Sequence, residues 1–163
     1  MRWRRPRPLA SGVYRNGEIL SGTDKVLYYR DGKTATVSII STGEPLTLAL
    51  RTNGKTDAGI STGPEVSNDE ATMILLGALP MALHPKARTA GCIGFGSGLT
   101  THTLLGNPRL SRVDSIEIEP EMVRGARAFL PRVERAYEDP RARSSRGRRS
   151  ATTSSSRSRR IHG

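Results

Sequence analysis

The stretch that decides the fold runs Thr89-Ala90-Gly91-Cys92-Ile93-Gly94-Phe95-Gly96-Ser97-Gly98-Leu99-Thr100, with Glu117 nineteen residues beyond Gly98. Thr89 to Ile93 reads as a strand, Gly94 to Gly98 as a tight turn, and Leu99 to Leu105 as a short helix closed by Gly106, Asn107 and Pro108. A second strand covers Arg112 to Ile118, with Val113, Ile116 and Ile118 as its apolar positions. Glycines let a turn bend sharply and let a ligand approach the backbone, because no Cβ intervenes. The helix that follows offers free N–H groups at its start. A carboxylate about 20 residues on, at the end of the next strand, can accept both hydroxyls of a ribose. Gly94, Gly96, Ser97 and Gly98 are therefore candidate nucleoside-binding residues, with Glu117 at the sugar. Glu119 competes with Glu117, since alternate residues of a strand share a face. The plain alternative is that the glycines only let strand and helix pack closely, and that Glu117 is a solvated strand end.

Beyond Glu119, Pro120 suits the first turn of a helix. Met122, Val123, Ala126, Phe129 and Leu130 then recur at helical spacing. Upstream, Ser67-Asn68-Asp69-Glu70 fits a capping box ahead of an apolar helix with Met73, Ile74, Leu75, Ala78 and Leu79, which Pro80 should kink or end. Residues 13–60 read as linked hairpins. Lys25 to Arg30, Thr34 to Ile40 and Leu46 to Arg51 are strand candidates, and Asp31-Gly32 and Asn53-Gly54 are turn pairs that tolerate positive φ.

The formal net charge is +11, with 26 basic and 15 acidic residues. Four arginines lie in residues 1–8 and eight in 141–163, so the remaining 14 basic residues meet all 15 acids and the middle is near neutral. The charge thus describes two ends rather than a folded surface. Residues 1–12 read as a disordered basic start. Residues 141–163 read as a disordered Arg/Ser-rich tail with too little apolar surface to fold. Such a tail can touch phosphates. It has no aromatic residue to stack on bases, so nucleic acid is not the expected partner. Cys92 is the only cysteine, which excludes a disulfide within the chain and suggests a core thiol. His84, His102 and His162 lack ligand spacing, and no metal is assigned. The apolar run Met73 to Leu83 contains Pro80 and is too short to span a bilayer. With no signal-peptide pattern at the start, the expected compartment is the cytoplasm.

YYRDGKTATVSI (28–39), LRTNGKTDAG (50–59), NDEATMILLGALPMALHP (68–85), CIGFGSGLT (92–100) and SIEIEPEMVRGARAFLP (115–131) occur in an order that resembles the spermidine synthase family of aminopropyltransferases. The resemblance implies an α/β chain in two parts. An N-terminal antiparallel β-hairpin domain (13–66) precedes a partial Rossmann-like parallel sheet of the class I methyltransferase type (67–140). It implies transfer of an aminopropyl group from decarboxylated S-adenosylmethionine, as co-substrate rather than resident cofactor, to putrescine. Homodimers are common among such enzymes, and a dimer is expected on that ground. Asp57 and Asp69 are weaker candidates for the cationic substrate end.

The sequence departs from the family pattern at three places. Ser97 stands where the family's Gly-Gly-Gly-Asp-Gly-Gly turn has its aspartate, which removes a negative charge facing a cationic donor. Thr72, Met73 and Ile74, or the three positions one residue later, stand where many members have Tyr-Gln-Glu or Tyr-His-Glu. The third strand and catalytic aspartate loop are due after Pro140, where an Arg/Ser sequence follows instead. That change implies a truncated domain, with a shifted reading frame after about Arg143 as the favoured cause. No catalytic base is assigned, and an incomplete sheet predicts marginal stability. Two other functions fit the same residues: a methyltransferase using S-adenosylmethionine on the same fold, and a non-enzymatic basic protein that binds nucleic acid.

Overall fold

The computed structural model describes Ala10, residues 20–43 and residues 46–146. The expected basic start at 1–12 and the part of the tail beyond 146 fall outside the described residues, Ala10 apart. Four strands come first: β1 (Lys25–Asp31), β2 (Thr36–Thr42), β3 (Thr47–Thr52) and β4 (Lys55–Ser61). They pair in chain order as an antiparallel meander. Helix α1 (Asn68–Leu83) leads into the parallel unit. There β5 (Thr89–Ile93), β6 (Arg112–Glu117) and β7 (Ala142–Arg146) lie side by side in that order. Between them run α2 (Leu99–Leu105), α3 (Pro120–Gly125), a 3-10 turn (Ala126–Phe129) and the single turn α4 (Arg135–Glu138).

The β3–β4 hairpin follows its local chemistry. Thr52 pairs with Lys55, and Asn53 (φ 51°) and Gly54 (φ 80°) take the left-handed conformations of a two-residue turn. The first hairpin does not. Asp31 pairs with Thr36 across a four-residue connection, and Gly32 is not among the glycines with positive φ. The reason lies 87 positions away. A Cβ on Gly32 would sit 2.3 Å from the carboxyl group of Glu119. Gly32 is there to admit that carboxylate, not to make a left-handed turn.

Glu119 is 2% exposed. One oxygen accepts from the Thr34 amide (2.8 Å) and the Thr34 hydroxyl (2.9 Å), and the other from the Glu121 amide (3.1 Å). Burial alone would raise its pKa. These donors, with the Ala35 amide, outweigh burial and bring it down to about 2. The carboxylate thereby ties the first hairpin of the meander to the start of α3. Beside it the Tyr28 ring lies against Gly125, where a Cβ would come within 3.0 Å of it, and its hydroxyl donates to Glu121 (2.5 Å). Burial and the Glu121 carboxylate push that phenol up to about 12.

One apolar cluster runs through both units. Val37, Ile39, Leu50, Ala58 and Ile60 of the meander meet Phe95, Leu99, Met122, Ala126, Phe129 and Val133. Helix α1 opens with the expected capping box, Glu70 N–H to Ser67 Oγ (3.2 Å) and Ser67 N–H to Glu70 Oε2 (3.0 Å). The same Glu70 is fully buried and also accepts from the Ser61 amide (3.0 Å) and from Arg132 (2.5 Å). Pro80 neither ends nor interrupts α1, which continues to Leu83. It falls in the last turn, where the carbonyl it leaves without a donor lies on a side of the helix with exposed neighbours (Leu76, Leu79). The side that packs is centred on Gly77, where a Cβ would stand 3.0 Å from Thr103 and 3.1 Å from the Thr100 carbonyl of α2.

Two further expectations are corrected. Pattern does not cease at Pro140, because residues 142–146 form β7, parallel to β6 with Val113 opposite Ala142. Arg141, counted above with the tail, fixes that strand's entry. It donates to the carbonyls of Leu105 (2.6 Å), Asn107 (2.9 Å) and Leu110 (3.0 Å), and pairs with Asp139 at 2.7 Å. Of the apolar positions expected in the second strand, only Val113 marks its packed face. Val113, Ser115 and Glu117 are buried, while Ile116 and Ile118 are 41% and 66% exposed and Ile93 of β5 is 97% exposed. The buried face meets α2, with Thr101 Oγ1 and Ser115 Oγ 2.7 Å apart.

The depressed pKa of Glu119 sets a pH dependence. The native state holds fewer protons than the unfolded chain between the ordinary carboxyl value of 4.5 and about 2. Its contribution is therefore complete above that window and is lost as pH falls through it. Glu119→Gln should lower the melting temperature at pH 7 by an amount corresponding to roughly 1–3 kcal/mol. The gap to the unaltered protein should close between pH 4.5 and 2 in thermal melts.

Candidate functional site

Gly94 continues the line of β5, its amide donating to the Ile116 carbonyl at 2.8 Å. The chain then turns through left-handed glycines, with φ 89° at Gly94, 54° at Gly96 and 86° at Gly98. All three positions oppose an L side chain by roughly 1–2 kcal/mol. They differ in what surrounds them. A Cβ on Gly94 or Gly96 would meet nothing within 4 Å, so open space lies over the bend. A Cβ on Gly98 would sit 3.0 Å from the Phe95 ring and 3.4 Å from Ala136. Close packing accounts for Gly98 and not for the other two.

Phe95 is the turn's anchor. It is buried and packs edge-on to Tyr137 with centroids 5.4 Å apart. Tyr137 in turn donates to the Val123 carbonyl (2.7 Å) and lies under the Arg127 guanidinium (4.6 Å). Burial raises the Tyr137 phenol pKa.

The structure brings Glu117 directly to the bend. Its Oε2 accepts from the Phe95 amide at 2.9 Å and its Oε1 from the Glu119 amide at 2.8 Å, with the residue 8% exposed. An ionised carboxylate has about four acceptor positions. Two backbone donors fix its orientation and leave acceptor capacity on both oxygens. The two glutamates point different ways: Glu117 faces the glycine turn and Glu119 faces the first hairpin.

Ser97 is 1% exposed, and its hydroxyl is turned toward α1. It donates to Met73 Sδ at 3.1 Å and accepts from the Leu99 amide at 3.3 Å. Asp57 lies on β4 and lines the same cleft as Gly94, Phe95, Gly96 and Ser97, opposite Met73 and Leu76 of α1. That cleft has a volume of about 430 Å³. Cys92 and Thr100 complete its polar lining, and burial raises the Cys92 thiol pKa. Asp69 is not brought to it. It sits exposed in the first turn of α1 near Gly59, where a carboxylate complements the helix dipole. Glu117 itself lines a separate recess of about 240 Å³, with Pro120, Val123, Arg124 and Ser144. No local pattern points to Ser144, because β7 carries no apolar alternation.

Residues 71–147 match the spermine/spermidine synthase domain. Over those residues the chain is similar to the spermidine synthase family. A polyamine aminopropyltransferase of Nitrosomonas europaea is 41% identical over 64 residues, 39% of this chain and 20% of that protein. One from Moorella thermoacetica is 31% identical over 67 residues, 41% of this chain and 24% of that protein. Among solved structures, spermidine synthase from Thermotoga maritima superposes with a TM-score of 0.65 at 20% identity, over 76% of this chain and 42% of that one. A spermidine synthase in complex with the transition state analogue AdoDATO gives 0.64 at 21%, over 74% and 39%. At these identities the superpositions show the fold, a methyltransferase-like parallel sheet behind an antiparallel one. The chain spans about two-fifths of those structures, and its matched segment about a fifth to a quarter of the curated relatives.

The unequal roles of the glycines can be checked by calorimetry of single variants. Gly98→Ala should melt roughly 4 °C or more below Gly96→Ala. It adds a clash with Phe95 to the left-handed strain that both share.

Proposed function

We propose that this chain carries the donor half of an aminopropyltransferase site, and that the donor is decarboxylated S-adenosylmethionine. The observation that supports it best is the bond from the Phe95 amide to Glu117 beneath open space over Gly94 and Gly96. A ribose laid there can donate both hydroxyls to the free acceptor positions of Glu117, while the backbone of the turn passes close to the sugar. The base would occupy the recess beside Pro120, Val123 and Ser144. The sulfonium and aminopropyl chain would enter the cleft between the glycine turn and Asp57.

In the reaction, the neutral primary amine of putrescine attacks the methylene carbon next to the sulfonium. A C–N bond forms as the C–S bond breaks, and sulfur keeps the bonding pair and leaves as methylthioadenosine. The proton shed by the new secondary ammonium passes to a base. The site's contribution is to hold donor carbon and amine in line, where positioning replaces a bimolecular encounter. No described residue is assigned as that base. A cytoplasmic location and a homodimer go with this proposal. Among the described residues no helix is long and apolar enough to cross a membrane.

Titration calorimetry with methylthioadenosine tests the cradle. The full chain should bind it, and Glu117→Ala should weaken binding by roughly ten- to a hundredfold, the scale of one or two hydrogen bonds to a charged acceptor. Unchanged affinity in that variant would remove the sugar from this position. Aminopropyl transfer to putrescine, followed by release of methylthioadenosine, reads out turnover separately from binding.

A further inference from the structure

Asp57 comes from the antiparallel meander, yet it lines the cleft formed by the glycine turn. Among the described residues it is the sole carboxylate in that lining. Ser97 contributes no charge, and its hydroxyl is engaged with Met73. The remaining wall includes Met73, Leu76 and Phe95, none of which can balance a cation. A positively charged group that leaves water to enter such a cleft needs a counter-charge.

Asp57 already has a partner. Lys55 Nζ stands 3.4 Å from Asp57 Oδ1. Asp57 is the residue left unpaired where the β3–β4 register slips between the Leu50–Ala58 and Arg51–Thr56 pairs, two positions beyond Lys55. Lys55 is not among the residues lining the cleft, so it holds the carboxylate from outside. Their side chains are 58% and 35% exposed, and a pair this wet is weak and readily exchanged.

We propose that Lys55 and Asp57 form an exchangeable ion pair that reads the charge on the nucleoside's side chain: a cationic group in the cleft displaces Lys55 and takes Asp57 as its counter-ion. The selectivity concerns the cationic tail alone and rests on the donor site proposed above. It gives the meander a part in recognition and supplies, from β4, a negative charge that the glycine turn lacks.

The experiment compares two ligands that share adenosine and sulfur but differ in charge. Neutral methylthioadenosine and cationic decarboxylated S-adenosylmethionine are titrated into the full chain, into Asp57→Asn and into Lys55→Met at one fixed low salt concentration. Asp57→Asn should weaken the cationic ligand about tenfold and leave the neutral one within about twofold, which also shows that the variant is folded. Lys55→Met should strengthen the cationic ligand a few-fold, because the competing ammonium is gone. An equal loss of both ligands in Asp57→Asn, or no loss of either, overturns the exchange. If the unaltered chain binds neither ligand, the donor site itself fails and the exchange falls with it.

Discussion

A carboxylate taken out of water has to find donors, and in this chain two glutamates separated by one residue find them in opposite directions. Glu117 turns to the amide of Phe95, and Glu119 turns to the hydroxyl and amide of Thr34. The first bond fixes a carboxylate under the bend; the second holds the meander against the parallel unit. Their sharing of one backbone link, the Glu119 amide on Glu117 Oε1, couples the two jobs. The placing of the cleft between β4 and the glycine turn depends on both.

What could be read from sequence was whatever short-range chemistry settles. The Asn53-Gly54 turn needs left-handed backbone, and the two residues say so. The capping box at Ser67 and Glu70 spans a single helical turn. The bend at residues 94–98 and the offset to Glu117 follow from strand and helix lengths that vary little. What could not be read depends on partners far along the chain. Gly32 looks like a turn residue until Glu119 is found against it. Glu70 looks like a cap alone until Arg132 and Ser61 reach it.

Strand β7 shows a different limit. Ala142-Arg-Ser-Ser-Arg146 has no apolar alternation, and composition argued against any structure there. It is held by backbone pairing to β6 and by Arg141, whose guanidinium gathers three carbonyls from the end of α2 and the loop after it. Backbone hydrogen bonding is indifferent to side-chain hydrophobicity, so a strand at a sheet margin can form from residues that carry no sign of it. The converse holds for Ile93, Ile116 and Ile118. They are apolar and stand exposed, because packing depends on what lies opposite a residue as well as on what it is.

The joint between the two sheets also bears on motion. A buried anion gripped by several donors, a glycine with no room for a methyl group, and a ring pressed on another glycine make a weld rather than a hinge. The strand that brings Asp57 to the cleft is therefore carried as one rigid piece with the glycine bend. Any closure over a captured molecule would have to pivot elsewhere in the protein, and the distance between those two walls would stay fixed while it did.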